Sequence, residues 1–196
     1  MGLFAMISHK IGDNLVRSNV IKEEDAEIYI YGINQIFVSV LNVSSALIIG
    51  WVFGAVLEIT VFMAAYIPLR TFAGGYHAKT PTRCYILSLI IIIIVLVKIK
   101  YFHFFDIIYY IVLTAEVLII LLLSPVEDKN KLLNVTEQKV YKRRVAFITL
   151  AELVIILLFK VIGLDNLFTV MIYSFVVVGC MLIAGKIKLA IQNNHS

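Results

Sequence analysis

Between Tyr85 and Val97 the chain runs 13 residues without a charge, and between Ile107 and Leu123 only Glu116 carries one. Such stretches need surroundings as apolar as themselves. A chain of 196 residues, 61% hydrophobic and 15% charged, has too little interior to hide them, whereas an ordinary soluble domain is about 25% charged. The mean hydropathy of +0.97 points the same way. The bilayer is the remaining solvent, so the sequence predicts an all-α integral membrane protein.

Six transmembrane helices are expected near 33–54, 56–73, 82–99, 104–123, 145–161 and 166–185. Ahead of them, Phe4, Ile7, Ile11 and Leu15 recur at helical spacing, with Lys10, Asp13, Asn14 and Arg17 between. That pattern predicts an amphipathic helix in the interface plane, within an interfacial segment over 1–27. Glu23, Glu24, Asp25 and Glu27 lead from it into the first span. No linker or repeat divides the chain, so 1–196 reads as one membrane domain. Polar residues interrupt the start before any sustained apolar region, which argues against a cleavable signal peptide. Met6 occupies the place where a myristoylation signal needs Ser or Thr.

The basic residues orient the spans. With the N-terminus inside, cytoplasmic segments hold Lys10, Arg17, Lys22, Arg70, Lys79, Arg83, Lys129, Lys131, Lys139, Lys142, Arg143, Arg144, Lys186 and Lys188, which is 14 of the 17 Lys and Arg. Lys98, Lys100 and Lys160 fall outside. This is the positive-inside asymmetry. It places both termini and the loop between spans two and three on the cytoplasmic side of the cell membrane.

Spans two and three have short strictly apolar parts, Ile59–Leu69 and Tyr85–Val97, with 11 and 13 residues, against about 20 for a full crossing. Either the helices extend through polar residues or the loop between them sinks below the membrane surface. Non-helical backbone at depth requires surrounding protein or a watered cavity. The chemistry is expected in this hairpin, over residues 70–84.

That loop reads Arg70-Thr71-Phe72-Ala73-Gly74-Gly75-Tyr76-His77-Ala78-Lys79-Thr80-Pro81-Thr82-Arg83-Cys84. Thr80-Pro81 predicts a helix start, a hydroxyl cap followed by proline at the first helical position. Cys84 then falls in the first turn of span three, where the helix dipole favours an anion such as a thiolate nucleophile. A thiol nucleophile needs a base, usually histidine. On one continuous helix seven residues would hold His77 about 10 Å from Cys84, but Gly74-Gly75 and Thr80-Pro81 break the helix and let the loop fold back. His9, His103 and His195 belong to the surface helix, the outer side and the tail. The residues alone also admit a plainer reading, with Gly74-Gly75 a turn, Arg70 a topology residue and Cys84 a buried filler. Cys180, in the apolar run Val176–Ala184, reads as a small core residue.

The string Arg70, Ala73-Gly74-Gly75, His77-Ala78 and Cys84 resembles the signature of the accessory gene regulator B (AgrB) family, membrane peptidases of Gram-positive quorum sensing. Ser124-Pro125-Val126 with Asn130-Lys131 resembles that family's loop after its fourth span, with Ser124 in place of an alanine and Leu132 in place of a proline. Length, span count and basic loops match as well. The resemblance implies Cys84 as nucleophile and His77 as its base. It implies an AgrD-like precursor peptide as substrate, with an amphipathic N-terminal helix, a signal segment and an acidic C-terminal tail. It further implies tail removal through a Cys84 thioester, closure of a thiolactone or lactone ring, and a homodimer. Arg70 is expected to hold a carboxylate or brace the loop, and N–H groups around Gly74 and Gly75 to face the oxyanion.

Lys139, Lys142, Arg143 and Arg144 could attract the acidic tail, although basic residues at this boundary also serve topology and anionic lipid. Glu116 and Glu152 lie inside spans and about 12 Å from the cytoplasmic boundary; they line a polar cavity, or bond to neighbouring side chains, or one is neutralised by protonation. No HExxH motif, paired intramembrane aspartates or Cys/His cluster calls for a metal or another cofactor, and no nucleic-acid partner is expected. Two rivals remain: a small transporter or peptide exporter, and a scaffold or receptor subunit with an inert Cys84. Against the transporter stand the lack of an inverted repeat and a helix interruption that occurs only once.

Overall fold

The computed structural model describes residues 3–76, 78, 80–102, 106–127 and 134–193; His77, Lys79, His103, Lys129, Asn130, Lys131, Leu132 and His195 lie outside the described residues. Among the described residues seven α-helices follow one another: α1 (Leu3–Arg17), α2 (Ala26–Phe53), α3 (Val56–Ala73), α4 (Pro81–Tyr101), α5 (Asp106–Leu123), α6 (Val135–Ile162) and α7 (Asp165–Asn193). Six of them, α2 to α7, are long and apolar enough to cross a membrane. No strand occurs among the described residues. The all-α membrane architecture expected from the sequence is borne out.

The chain divides into two compact units, 1–46 and 47–196. In the first, α1 packs on the start of α2. A Cβ at Gly12 would strike the Ile30 side chain, so this glycine lets the two helices meet closely. Ile7, Ile11 and Leu15 of the predicted apolar stripe are half-buried. Asn19, with φ of 53°, turns the chain, and a short 3-10 turn over Glu23–Asp25 leads into α2. The first span thus starts at Ala26 rather than near 33. Glu27 in its first turn suits the helix dipole.

In the second unit α7 is the centre. It packs against α3, α4, α5 and α6, and 61% of its apolar window is buried, against 17–28% for those four. Val170, Phe175, Val178 and Leu182 are completely enclosed. The outer helices bury single stripes, such as Ile59, Phe62, Ala65, Leu69 and Ala73 on α3, and turn their other apolar faces outward, as lipid allows. Cys180 departs from expectation. It is exposed on α7, because its neighbours Gly179 and Leu182 take the inward positions.

The helices of spans two and three are 18 and 21 residues long. They run past those parts through Glu58 and Arg70 on α3 and through Arg83, Cys84, Lys98 and Lys100 on α4, which is why their strictly apolar parts looked too short. α6 begins ten residues before its predicted start. Asn134 accepts from the Glu137 N–H (2.8 Å), and the Glu137 carboxylate accepts from the Asn134 N–H (2.9 Å). This reciprocal capping box nucleates the helix well before its apolar part. Lys139, Lys142, Arg143 and Arg144 therefore ride on α6 instead of lying in a loop. At the opposite end Lys160 pairs with Asp106 (2.9 Å) and Asp165 (2.8 Å), joining α5, α6 and α7. Lys100 donates to the Phe53 carbonyl (3.4 Å), and Lys98 lies over the Phe102 ring. The three basic residues outside the asymmetry thus all have local partners.

Candidate active site

The sequence folds locally as its caps direct. Thr80 is extended, its hydroxyl accepts from the Arg83 N–H (3.3 Å), and Pro81 occupies the first turn of α4. Cys84 follows, with its N–H bonded to the Thr80 carbonyl (3.1 Å). Its own carbonyl accepts from the Ser88 hydroxyl (3.0 Å). The thiol is free and half-buried, whereas the Arg83 side chain is exposed. A nucleophile in this position is reachable yet shielded.

Before α4 the chain leaves α3 through Gly74 and Gly75, with φ of 74° and 118°, values that favour glycine. Three elements hold this turn. The Gly74 N–H donates to the Arg70 carbonyl (3.1 Å), closing α3. Val126, just after α5, donates to the Ala73 carbonyl (2.8 Å) and accepts from the Gly75 N–H (3.4 Å), forming a short bridge. The Tyr76 N–H donates to the Met181 carbonyl of α7 (2.8 Å). Neither glycine has room for a side chain: a Cβ at Gly74 would meet the Val126 carbonyl, and one at Gly75 the Met181 carbonyl at 2.8 Å.

Arg70 stands in the last turn of α3. Its guanidinium donates to the carbonyls of Gly74 and Tyr76, a fork that suits two acceptors at fixed spacing. Tyr66, one turn earlier on α3, hydrogen-bonds the same guanidinium and lies within electrostatic reach of Cys84. The N–H groups of Gly74, Gly75 and Tyr76 all end on carbonyls of the fold. In this way they fix the loop's shape.

Beside the loop, Phe72 meets Tyr141 edge-on (5.6 Å) and carries the Arg144 guanidinium over its ring (4.9 Å). Phe72, Val140, Arg143, Arg144, Phe147 and Ile148 line an open groove. Half of the basic cluster thus borders the loop side of α6; Lys139 and Lys142 are not in this lining. Glu152 shares the inward stripe of α6 with Val145, Thr149 and Ile156, and Glu116 lies against Gly179 of α7. Both carboxylates turn inward, and the Oε2 of each has no hydrogen-bond partner among the described residues. No cluster of His, Cys, Asp and Glu suited to a metal occurs among them either.

The pattern of the family described as Accessory gene regulator B matches residues 7–184. The chain belongs to this family. It is 31% identical over 169 residues to an AgrB-like protein of Clostridium perfringens (strain SM101 / Type A), covering 83% of this chain and 76% of that one. A second relative, AgrB-like protein 2 of Clostridium perfringens (strain 13 / Type A), is 30% identical over 166 residues, covering 81% and 74%. No solved structure matches. Membership of the AgrB family assigns the chain a general role in quorum-sensing processing as a multi-pass protein of the cell membrane.

Sequence reasoning placed Arg70, Gly74 and Gly75 at the end of α3 and Cys84 in the first turn of α4, and it foresaw the Thr80 cap. It missed Tyr66, Val126, Met181 and Gly185, which hold the loop from three other helices or their ends. The Ser124-Pro125-Val126 string was visible but had no evident task. A glycine six residues after Gly179 in an apolar helix was the other available signal, since small residues mark close backbone approach.

Proposed function

We propose that this AgrB-family chain is a membrane-embedded cysteine endopeptidase that removes the C-terminal tail of an AgrD-like precursor and supports its cyclisation. The observation that carries the proposal is the placement of a free, half-buried Cys84 in the first turn of α4, directly after a loop fixed by Arg70, Val126 and α7.

In this mechanism His77 takes the thiol proton and Cys84 attacks the carbonyl at the end of the signal segment. The tetrahedral intermediate collapses, the carbon–nitrogen bond breaks, and the tail amine leaves with the proton from His77. A thioester then joins signal and Cys84. A thiol or hydroxyl within the signal gives its proton to the now neutral His77 and attacks that thioester, closing the ring and returning the Cys84 thiolate. Water must lose to the internal nucleophile, which a site sheltered among membrane helices favours by excluding solvent. Arg143, Arg144 and Phe72 offer a cationic and aromatic groove for the acidic tail, with Lys139 and Lys142 adding to the field. Both termini are cytoplasmic in this reading, and the enzyme is a homodimer. A protease-accessible terminus on the outer face, or cross-linking in membranes that yields only monomer, would remove those two features respectively.

The test reconstitutes the purified chain in liposomes with synthetic AgrD-like precursors and follows the products by mass spectrometry. Released tail and a cyclic product, both absent with Cys84→Ala and His77→Ala, are the expected result. A folded wild type that leaves every precursor intact would end the peptidase reading. The rival, a peptide exporter, draws on the inward Glu116 and Glu152, and it predicts peptide flux that survives Cys84→Ala.

A further inference from the structure

The peptidase reading uses α4 and the loop before it, but α7 touches that loop more closely than any function assigned to it requires. Three residues of α7 meet the Gly75-Tyr76 dipeptide. Met181 accepts the Tyr76 N–H (2.8 Å). Gly185 lies so close that a Cβ there would sit 2.8 Å from the Gly75 carbonyl carbon and from the Tyr76 nitrogen. Lys188 holds its ammonium 5.5 Å from the centre of the Tyr76 ring. At spacings of four and three they share one helix face. The contact is with backbone, which cannot swing aside as a side chain can. Gly185 also lies one residue beyond the stretch matched by the family pattern.

We propose that the Met181–Lys188 face of α7 is the seat of the catalytic loop, with Gly185 the positioning residue that sets how deep the loop lies; the proposal rests on the peptidase reading. The seat ends at Tyr76, and the next residue in the chain is His77. An alanine at Gly185 would push the dipeptide outward from 2.8 Å to an ordinary contact of about 3.5 Å. The backbone leading to the base would shift, while Cys84, on the separately capped α4, keeps its place. Catalytic groups misplaced by about 1 Å lose on the order of a hundredfold in rate. Substrate contacts in the Phe72–Ile148 groove are untouched, so the loss falls on kcat and spares KM.

The experiment compares full-length wild type, Gly185→Ala, Lys188→Met and Ile183→Ala in liposomes. Ile183 lies on the same α7 turn and faces outward. A synthetic precursor with an amphipathic N-terminal helix and an acidic tail reports kcat and KM. Amide hydrogen exchange of the 72–78 segment reports the loop directly. Gly185→Ala is expected to lower kcat by roughly a hundredfold with KM within about twofold. Its loop amides should exchange at least about tenfold faster, while α5 exchanges as in wild type. Lys188→Met should lower kcat about threefold, in keeping with a weak cation–ring contact, and Ile183→Ala should change nothing. Wild-type kcat and wild-type exchange in Gly185→Ala would overturn the proposal. Should that variant fail to fold, Lys188→Met decides: slower turnover with faster loop exchange supports the seat, and no change in either overturns it. A wild type that cleaves nothing would fail the peptidase reading, and the exchange comparison would still decide whether α7 seats the loop.

Discussion

Two pairs of glycines with positive φ sit at the ends of helices in this chain, and they do different work. Gly54 and Gly163, with φ of 67° and 83°, end α2 and α6 with open space where a side chain would go. Their turns close on the helix they leave, through Ala55 N–H to the Gly50 carbonyl (2.7 Å) and Leu164 N–H to the Phe159 carbonyl (2.8 Å). Gly74 and Gly75 end α3 against the backbones of Val126 and Met181, with no room for a methyl group. The first pair only turns the chain. The second turns it and admits two other segments to van der Waals contact, so the loop's shape becomes a property of α3, α5 and α7 together. The loop proposed to hold a base near the Cys84 thiol gains from such cross-bracing.

The widest gap between the pairs should appear on adding one methyl group to each. Gly75→Ala is expected to cut turnover by on the order of a hundredfold, whereas Gly163→Ala should leave cleavage unchanged and cost about 1 kcal/mol through its left-handed backbone. Equal activity losses in the liposome assay would collapse the distinction. Arg70→Lys sharpens it from the side-chain end. A single ammonium cannot serve both the Gly74 and Tyr76 carbonyls as the fork does, and turnover should fall roughly tenfold with little change in KM.

Smaller effects should separate the proposed substrate groove from the loop. Replacing Arg143 and Arg144 by Gln is expected to raise KM several-fold at low ionic strength, with the difference shrinking as salt screens it at a Debye length of about 8 Å or less. A kcat effect in its place would move these residues into the loop's machinery. Asn134→Ala removes one half of the α6 capping box and should lower stability by about 1 kcal/mol with activity intact. Melting in detergent measures it, and an unchanged Tm would show that tertiary packing alone sets where α6 begins.

What the sequence revealed and what it withheld follow from the range of the interactions. Lipid-facing helices show as apolar runs because the solvent acts on every residue of a span, and Thr80-Pro81 showed as a cap because capping is settled within four residues. Cys84 could therefore be placed on its helix turn from the string alone. The starts of α2 and α6 were placed too late, because apolarity marks the membrane and not the helix; Asn134 and Glu137 were legible as a capping box but lay among charges. The seating of Gly75 against Met181 and Gly185 could not be read, since it joins residues more than a hundred positions apart through backbone atoms that carry no residue identity. For the same reason Cys180 was assigned to the core: its run is apolar on all sides, and only packing decides which side faces in.

The central claim is that Cys84 forms the acyl bond, and the most direct measurement traps that bond. The reconstituted chain is mixed with a synthetic precursor whose internal nucleophile is replaced by alanine, so that ring closure cannot discharge the enzyme, and the intact protein is weighed by mass spectrometry. The account predicts an added mass equal to the signal segment without its tail, mapped to Cys84, removed by hydroxylamine and absent in Cys84→Ser. Tail release with no adduct at Cys84, or an adduct that persists in Cys84→Ser, would contradict it.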